Sequence, residues 1–112
     1  DAILERIRGQ IAVLNGCGVK GVSQAFSEHL QRLGIDVAFL GNAKHFDYQY
    51  TNIAYPENPT AQVLSNAKAL GDLCGVPANL VRANRGATHA TIIVGKDYDI
   101  ILKRLKQYKR NL

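Results

Sequence analysis

The chain has no methionine and only two cysteines, Cys17 and Cys74. Two cysteines are too few to staple a small fold, and no C-x-x-C spacing is present to hold zinc or to run thiol redox chemistry. With no methionine and an aspartate at its start, the sequence is expected to be a segment of a longer protein whose targeting signals lie upstream. Long apolar runs are also missing. The longest, such as residues 90–95, fall far short of the roughly 20 residues a spanning helix needs, and no signal peptide is visible. Any membrane is therefore expected to be reached only through sequence outside this chain. No segment is of low complexity and charged residues make up 21% of the chain, which argues against disorder away from the ends.

What is present suits one compact α/β domain over residues 1–112, with a core from about 11 to 97 and a helix over 98–112. The length and the 46% hydrophobic content supply one core and not two. The formal net charge is +5 and the pI near 9.4, which favours anionic partners such as nucleic acid, acidic glycopolymer or lipid headgroups. Much of the excess sits at the end, where Lys96, Lys103, Arg104, Lys106, Lys109 and Arg110 face only Asp97 and Asp99. A charge run of this kind also describes a solvated helix face that needs no partner.

Residues 11–14 form an apolar run bounded by glycine-rich sequence, as a buried strand does. Val22, Phe26, Leu30 and Leu33 then recur at helical spacing, and Gly34 follows as a helix stop. Residues 35–40 are apolar on both faces apart from Asp36 and predict an interior strand. Residues 50–55 predict a return strand that pairs with it as a hairpin. Asn58 and Pro59 suggest an N-cap and first helical position, with Val63, Ala67, Leu70 and Cys74 as the buried stripe of a second helix that ends at Gly75. Two further strands are expected over 78–83 and 88–94, separated by an Asn84-Arg85-Gly86 turn. Ile101, Leu105, Tyr108 and Leu112 mark a third apolar face on a basic helix. The order β-α-β-β-α-β-β-α predicts a two-layer open sandwich, a mixed sheet with the first two helices on one face. Antiparallel helices there would bring Cys17 and Cys74 to one end of the sheet, compatible with a disulfide or with two unpaired thiols.

The segment LNGCGVKG holds G-x-G-x-x-G at Gly16, Gly18 and Gly21 between strand and helix. A dinucleotide site would add an acid at the end of the second strand. That strand ends Leu40-Gly41-Asn42, and Asp36 lies at its other end. The chain is too short for a doubled βαβαβ set. A P-loop would need Lys and Ser or Thr after Gly21, where Val22 and Ser23 stand. The glycines are thus expected to serve a tight turn and close helix packing, with no cofactor. His29, His45 and His89 lack metal-ligand spacing, and no nucleophile elbow surrounds Ser23, Ser27 or Ser65. Cys17 lies beside Lys20 at a helix start, an activating setting for a thiol, but no base to orient it is evident. No catalytic residue and no metal ligand are nominated. Neither an RRM signature nor a zinc knuckle supports nucleic-acid binding, which rests on basicity alone.

Taken in order, IAVLNGCGVKGVSQAFSEHLQRLGIDV, NIAYPENPTAQVLSNAKALG and TIIVGKD resemble the C-terminal domain of LytR/CpsA/Psr cell-envelope proteins over residues 11–97. The matching positions are Asn15, Gly16, Gly18, Gly21, Tyr55, Ala61, Leu70, Gly71, Gly95 and Asp97. Cys17 departs from the pattern, where a small hydroxyl residue is more typical. The resemblance implies a bacterial, membrane-anchored parent with this domain outside the cytoplasmic membrane, and it implies that any transferase chemistry lies upstream. The expected function is non-catalytic binding of peptidoglycan or anionic wall glycopolymer. Docking of another envelope protein and nucleotide or nucleic-acid binding are the alternatives. The candidate ligand residues are Asn15, Gly16, Gly18, Lys20, Gly21, Asn42 and Lys44, where backbone N–H groups, a helix N-terminus and two lysines would attract an anion.

Overall fold

The computed structural model describes residues 1–109, and among them five strands and three helices of at least ten residues. The apolar run after Gly9 becomes β1 (Gln10–Asn15), followed by α1 (Val22–Arg32), β2 (Asp36–Asn42), β3 (Asn52–Tyr55), α2 (Ala61–Cys74), β4 (Val81–Ala83), β5 (Thr91–Val94) and α3 (Tyr98–Gln107). The strands lie in the order β2-β1-β5-β3-β4, with β3 antiparallel to β5 and every other neighbouring pair parallel. This is the mixed sheet with helices on one face that the sequence predicts. α1 lies over β1 and β2, α2 over β3 and β4, and α3 between the two helices. The stripe Val22, Phe26, Leu30 and Leu33 packs on Ile11, Val13, Ile92 and Val94 of the sheet, and Ile101 and Leu105 of α3 complete the core.

The helix stops follow local chemistry. Gly34 takes φ +86°, donating its N–H to Gln31, while Ile35 donates to Leu30, the paired bonds of a Schellman motif. Gly75 ends α2 at φ +73°. At the start of α2 the cap is Thr60, whose hydroxyl accepts the Val63 N–H at 3.1 Å, and not Asn58 as expected. Pro59 precedes the cap, because a capping hydroxyl must stand directly before the first turn to reach its third N–H.

Other expectations are corrected by strand order. β3 does not return beside β2. It crosses to the far side of β5, and β2 is an edge strand rather than an interior one. Its apolar character on both sides has a different cause. Register slips by one residue between Val37 and Phe39, and this bulge turns Phe39 to the helix-free face while Val37 and Leu40 stay on the helix side. Residues 78–80 form a 3-10 turn, so β4 is only three residues long, and β5 begins at Thr91 rather than Thr88. α3 stops at Gln107. Tyr108 lies beyond it and donates its hydroxyl to the Asp1 carboxylate at 2.7 Å, and the expected apolar position Leu112 lies outside the described residues. The chain before β1, unread in the sequence, is held by Asn66, which accepts the Arg8 N–H and donates to the Arg8 carbonyl.

Cys17 and Cys74 are both free thiols. Burial pushes the Cys74 thiol from 9.0 up to about 12, against a partial offset from the nearby Arg104 charge. The folded chain keeps this proton while the unfolded chain releases it near 9.0, so this group removes stability as pH climbs from there towards 12. At about pH 8, iodoacetamide is expected to modify Cys17 in the native chain and both cysteines after unfolding in urea, because the thiolate is the nucleophile. Native modification of Cys74 at the rate of Cys17, read by peptide mass, would contradict this core.

Candidate binding site

The glycine turn after β1 is built from inside. Asn15 is buried, and its Oδ1 accepts the N–H groups of Cys17 at 3.1 Å and Gly18 at 2.9 Å while its Nδ2 donates to the Val19 carbonyl at 2.9 Å. Its amide is therefore engaged by its own loop. Gly18 and Gly21 both take φ +79°, a conformation L side chains resist. Gly16 and Gly18 also make room for the loop over residues 43–50. A Cβ on Gly16 would lie 2.8 Å from the Tyr48 ring, and one on Gly18 would lie 3.3 Å from Phe46. The pattern that mimics a dinucleotide fingerprint is, in this chain, the seat of two aromatic side chains.

That aromatic loop is tied down at both ends. Tyr48 donates its N–H to the Gly16 carbonyl at 3.1 Å and accepts from Lys96 at 2.8 Å, and His45 stacks on the Tyr48 ring with centroids 4.7 Å apart. The terminal Gly-Lys-Asp closes the arrangement. Asp97 Oδ1 accepts from the Thr51 N–H at 2.9 Å and the Thr51 hydroxyl at 2.7 Å, and that hydroxyl accepts the Gly95 N–H at 3.1 Å.

The helix-free face of the sheet is shaped by these attachments. In register across it lie Phe39, Ala12, Thr91, Ala54 and Arg82, three small side chains flanked by two large ones. The result is a trough, walled on one side by the loop carrying Lys44 and Tyr48 and on the other by residues 84–88. One hollow of about 200 Å³ has Leu14, Phe39 and Ile93 on its apolar side and Asn42, Lys44 and Asn84 on its polar side. A second of about 210 Å³ adjoins it, shares Tyr48, Ala54, Asn84 and Ile93, and reaches Asn52 and Arg82. Gly41 leaves room for the Phe39 ring, since a Cβ would meet that ring at 2.9 Å.

Of the residues nominated from sequence, Asn42 and Lys44 line this trough. Gly16 supports it from below, Lys20 and Gly21 are exposed at the start of α1, and Asn15 and Gly18 shape the turn. Sequence reasoning missed Phe39, Tyr48, Asn52, Arg82 and Asn84. The aromatic density of residues 46–50 is a visible signal. The alignment of Ala12, Thr91 and Ala54 has none, because it depends on strand order. His29 sits at the boundary of α1, its Nδ1 buried without a hydrogen-bond partner. Among the described residues no three histidine, cysteine or acidic side chains are grouped to hold a metal ion, and no helix is long and apolar enough to cross a membrane.

The site is thus a glycine turn carrying an aromatic loop that a Gly-x-Asp clasp ties to the sheet of an α/β domain. Residues 8–98 match the family model LytR_C, described as LytR cell envelope-related transcriptional attenuator, and the chain belongs to that family. It is 33% identical over 85 residues to the cell wall biosynthesis protein LcpA of Corynebacterium glutamicum, a match covering 76% of this chain and 15% of that protein. The chain thus spans about one seventh of that curated relative's length. No solved structure matches it at a significant level.

Proposed function

We propose that this chain is a non-catalytic binding domain of an extracytoplasmic envelope protein and that it holds an anionic wall polymer or peptidoglycan at the end of the sheet where the glycine turn lies. The observation that carries this reading is the hollow rimmed by Asn42 and Lys44, which has no carboxylate in its lining among the described residues. Lys20 stands exposed just before α1, whose N-cap Gly21 gives no side chain to the first turn, so the positive end of the helix and a lysine face the same solvent. An anion there meets cations without an internal competitor. Family membership supplies the setting, and the role of such a domain within a longer parent is accessory to chemistry carried elsewhere.

Retention on purified sacculi over a salt series, run beside DNA, tests this. Wild-type domain is expected to be held by sacculi and released as salt rises, with Lys20→Ala/Lys44→Ala eluting at distinctly lower salt and melting at the wild-type temperature. Unchanged retention of the double variant removes these two lysines from the site, and DNA-selective retention overturns the envelope reading. A second reading has one specific support. Among the described residues nothing pairs with the outer edge of β2, seven residues uncharged after Asp36 and carrying the exposed Phe39 and Leu40, a place where a partner protein could add a strand. Retention on neither sacculi nor DNA favours it.

A further inference from the structure

We infer that the trough on the helix-free face is a saccharide-binding groove for an acidic oligosaccharide that carries acetamido and carboxylate groups. The inference rests on the envelope reading for its setting, and on the groove itself for its chemistry. The floor is made shallow by Ala12, Thr91 and Ala54, which stand side by side across β1, β5 and β3 and leave a strip too low in side-chain volume to be filled from within. All three are nearly inaccessible to solvent, at 4%, 5% and 4% exposure, although no helix covers this face. The space above them is a recess between two loops rather than open surface.

Its walls suit a sugar. Phe39 and Tyr48 put aromatic rings into the lining, and aromatic carbon attracts the weakly positive C–H groups of a pyranose ring. Asn42 and Asn84 line the hollows with amides that can hydrogen-bond hydroxyl and acetamido groups, Asn52 is engaged by the Tyr50 carbonyl and by Arg82 and serves to position that arginine, and the small apolar floor leaves room for an acetamido methyl.

Charge sets the remaining requirement. Lys44 stands at the β2 side and Arg82 at the β4 side, and among the described residues no carboxylate lines either hollow. Arg82 donates to Asn52 Oδ1 at 2.8 Å and has no acidic partner among the described residues, so its remaining N–H groups are free to fork onto a ligand carboxylate. β2 and β4 are four strand spacings apart, about 19 Å at ordinary sheet geometry, a span that calls for more than one sugar ring.

The test is titration of the isolated domain, followed by backbone amide NMR, with the disaccharide N-acetylglucosaminyl-N-acetylmuramic acid and with neutral di-N-acetylchitobiose. Wild type is expected to bind the acidic disaccharide, with shifts at Ala54, Thr91, Asn84 and Tyr48, and to bind the neutral one at least tenfold more weakly. Ala54→Leu, which fills the floor, is expected to lose at least tenfold in affinity for both. Lys44→Glu/Arg82→Glu, two exposed positions whose change leaves the core untouched, is expected to lose the preference for the acid and so stands in if Ala54→Leu does not fold. Equal binding of acidic and neutral sugars by wild type, shifts confined to residues 16–23, or unchanged affinity in folded Ala54→Leu overturns the groove. Wild type that binds the disaccharide here but is not held by sacculi leaves the groove standing and overturns the polymer reading. Sacculus retention that survives in folded Ala54→Leu but falls in Lys20→Ala/Lys44→Ala does the reverse.

Discussion

Replacing Gly95 with alanine is expected to cost the domain about 3 kcal/mol, at the upper end of overpacking penalties, and to loosen the aromatic loop. A Cβ at this position would lie 2.3 Å from the Tyr50 carbonyl carbon and 2.6 Å from the Thr51 nitrogen. These are backbone atoms, so no side chain can rotate away and the two segments must part. Parting them breaks the hydrogen bond from Gly95 to the Thr51 hydroxyl and strains the pair that Asp97 accepts from Thr51. Urea unfolding should show the loss of stability, and the amide resonances of residues 43–50 should shift together. Gly86→Ala is the control, since a Cβ there meets only Asn84 Oδ1 at 3.5 Å, and it should fall within about 0.5 kcal/mol of wild type. A Gly95→Ala domain with wild-type stability would mean that the clasp does not hold the loop.

Phe26→Ala is expected to destabilise by about 3 to 5 kcal/mol, enough to unfold a marginal domain of this size on gentle warming. Phe26 is fully buried on α1 and packs in the layer between helices and sheet. Its effect on binding should differ from that of Gly95→Ala. The trough lies on the opposite face, so well below its lowered melting point Phe26→Ala should bind the acidic disaccharide as wild type does, whereas Gly95→Ala, which moves the wall carrying Tyr48, should bind it more weakly. Equal losses in both would place the site in the helix layer.

The three helices were legible because each repeats apolar residues at helical spacing and two of them end in glycine, signals carried by residues within one turn of each other. The loop chemistry was partly legible. Asn15, Gly16 and Gly18 stood out as special, but their partners, Phe46 and Tyr48, lie some thirty residues on, and nothing in the spacing of a glycine turn says what will rest on it. Gly95 and Asp97 were visible as a motif whose work, holding Thr51, appears only across a contact spanning 46 residues. The edge position of β2 was misread because an apolar strand looks the same whether neighbours bury it or a bulge divides its side chains between two faces.

By itself, then, the sequence determined the elements, the helix stops, the need for glycine in the turn after β1 and the family to which the chain belongs. The tertiary structure decided the order β2-β1-β5-β3-β4, and with it the alignment of Ala12, Thr91 and Ala54 between Phe39 and Arg82 that makes the trough. The division has a physical cause. Periodicity, capping and positive φ are properties of a few consecutive residues, whereas strand pairing is settled by which long-range burial leaves the fewest unpaired backbone groups, a competition that involves the whole chain at once.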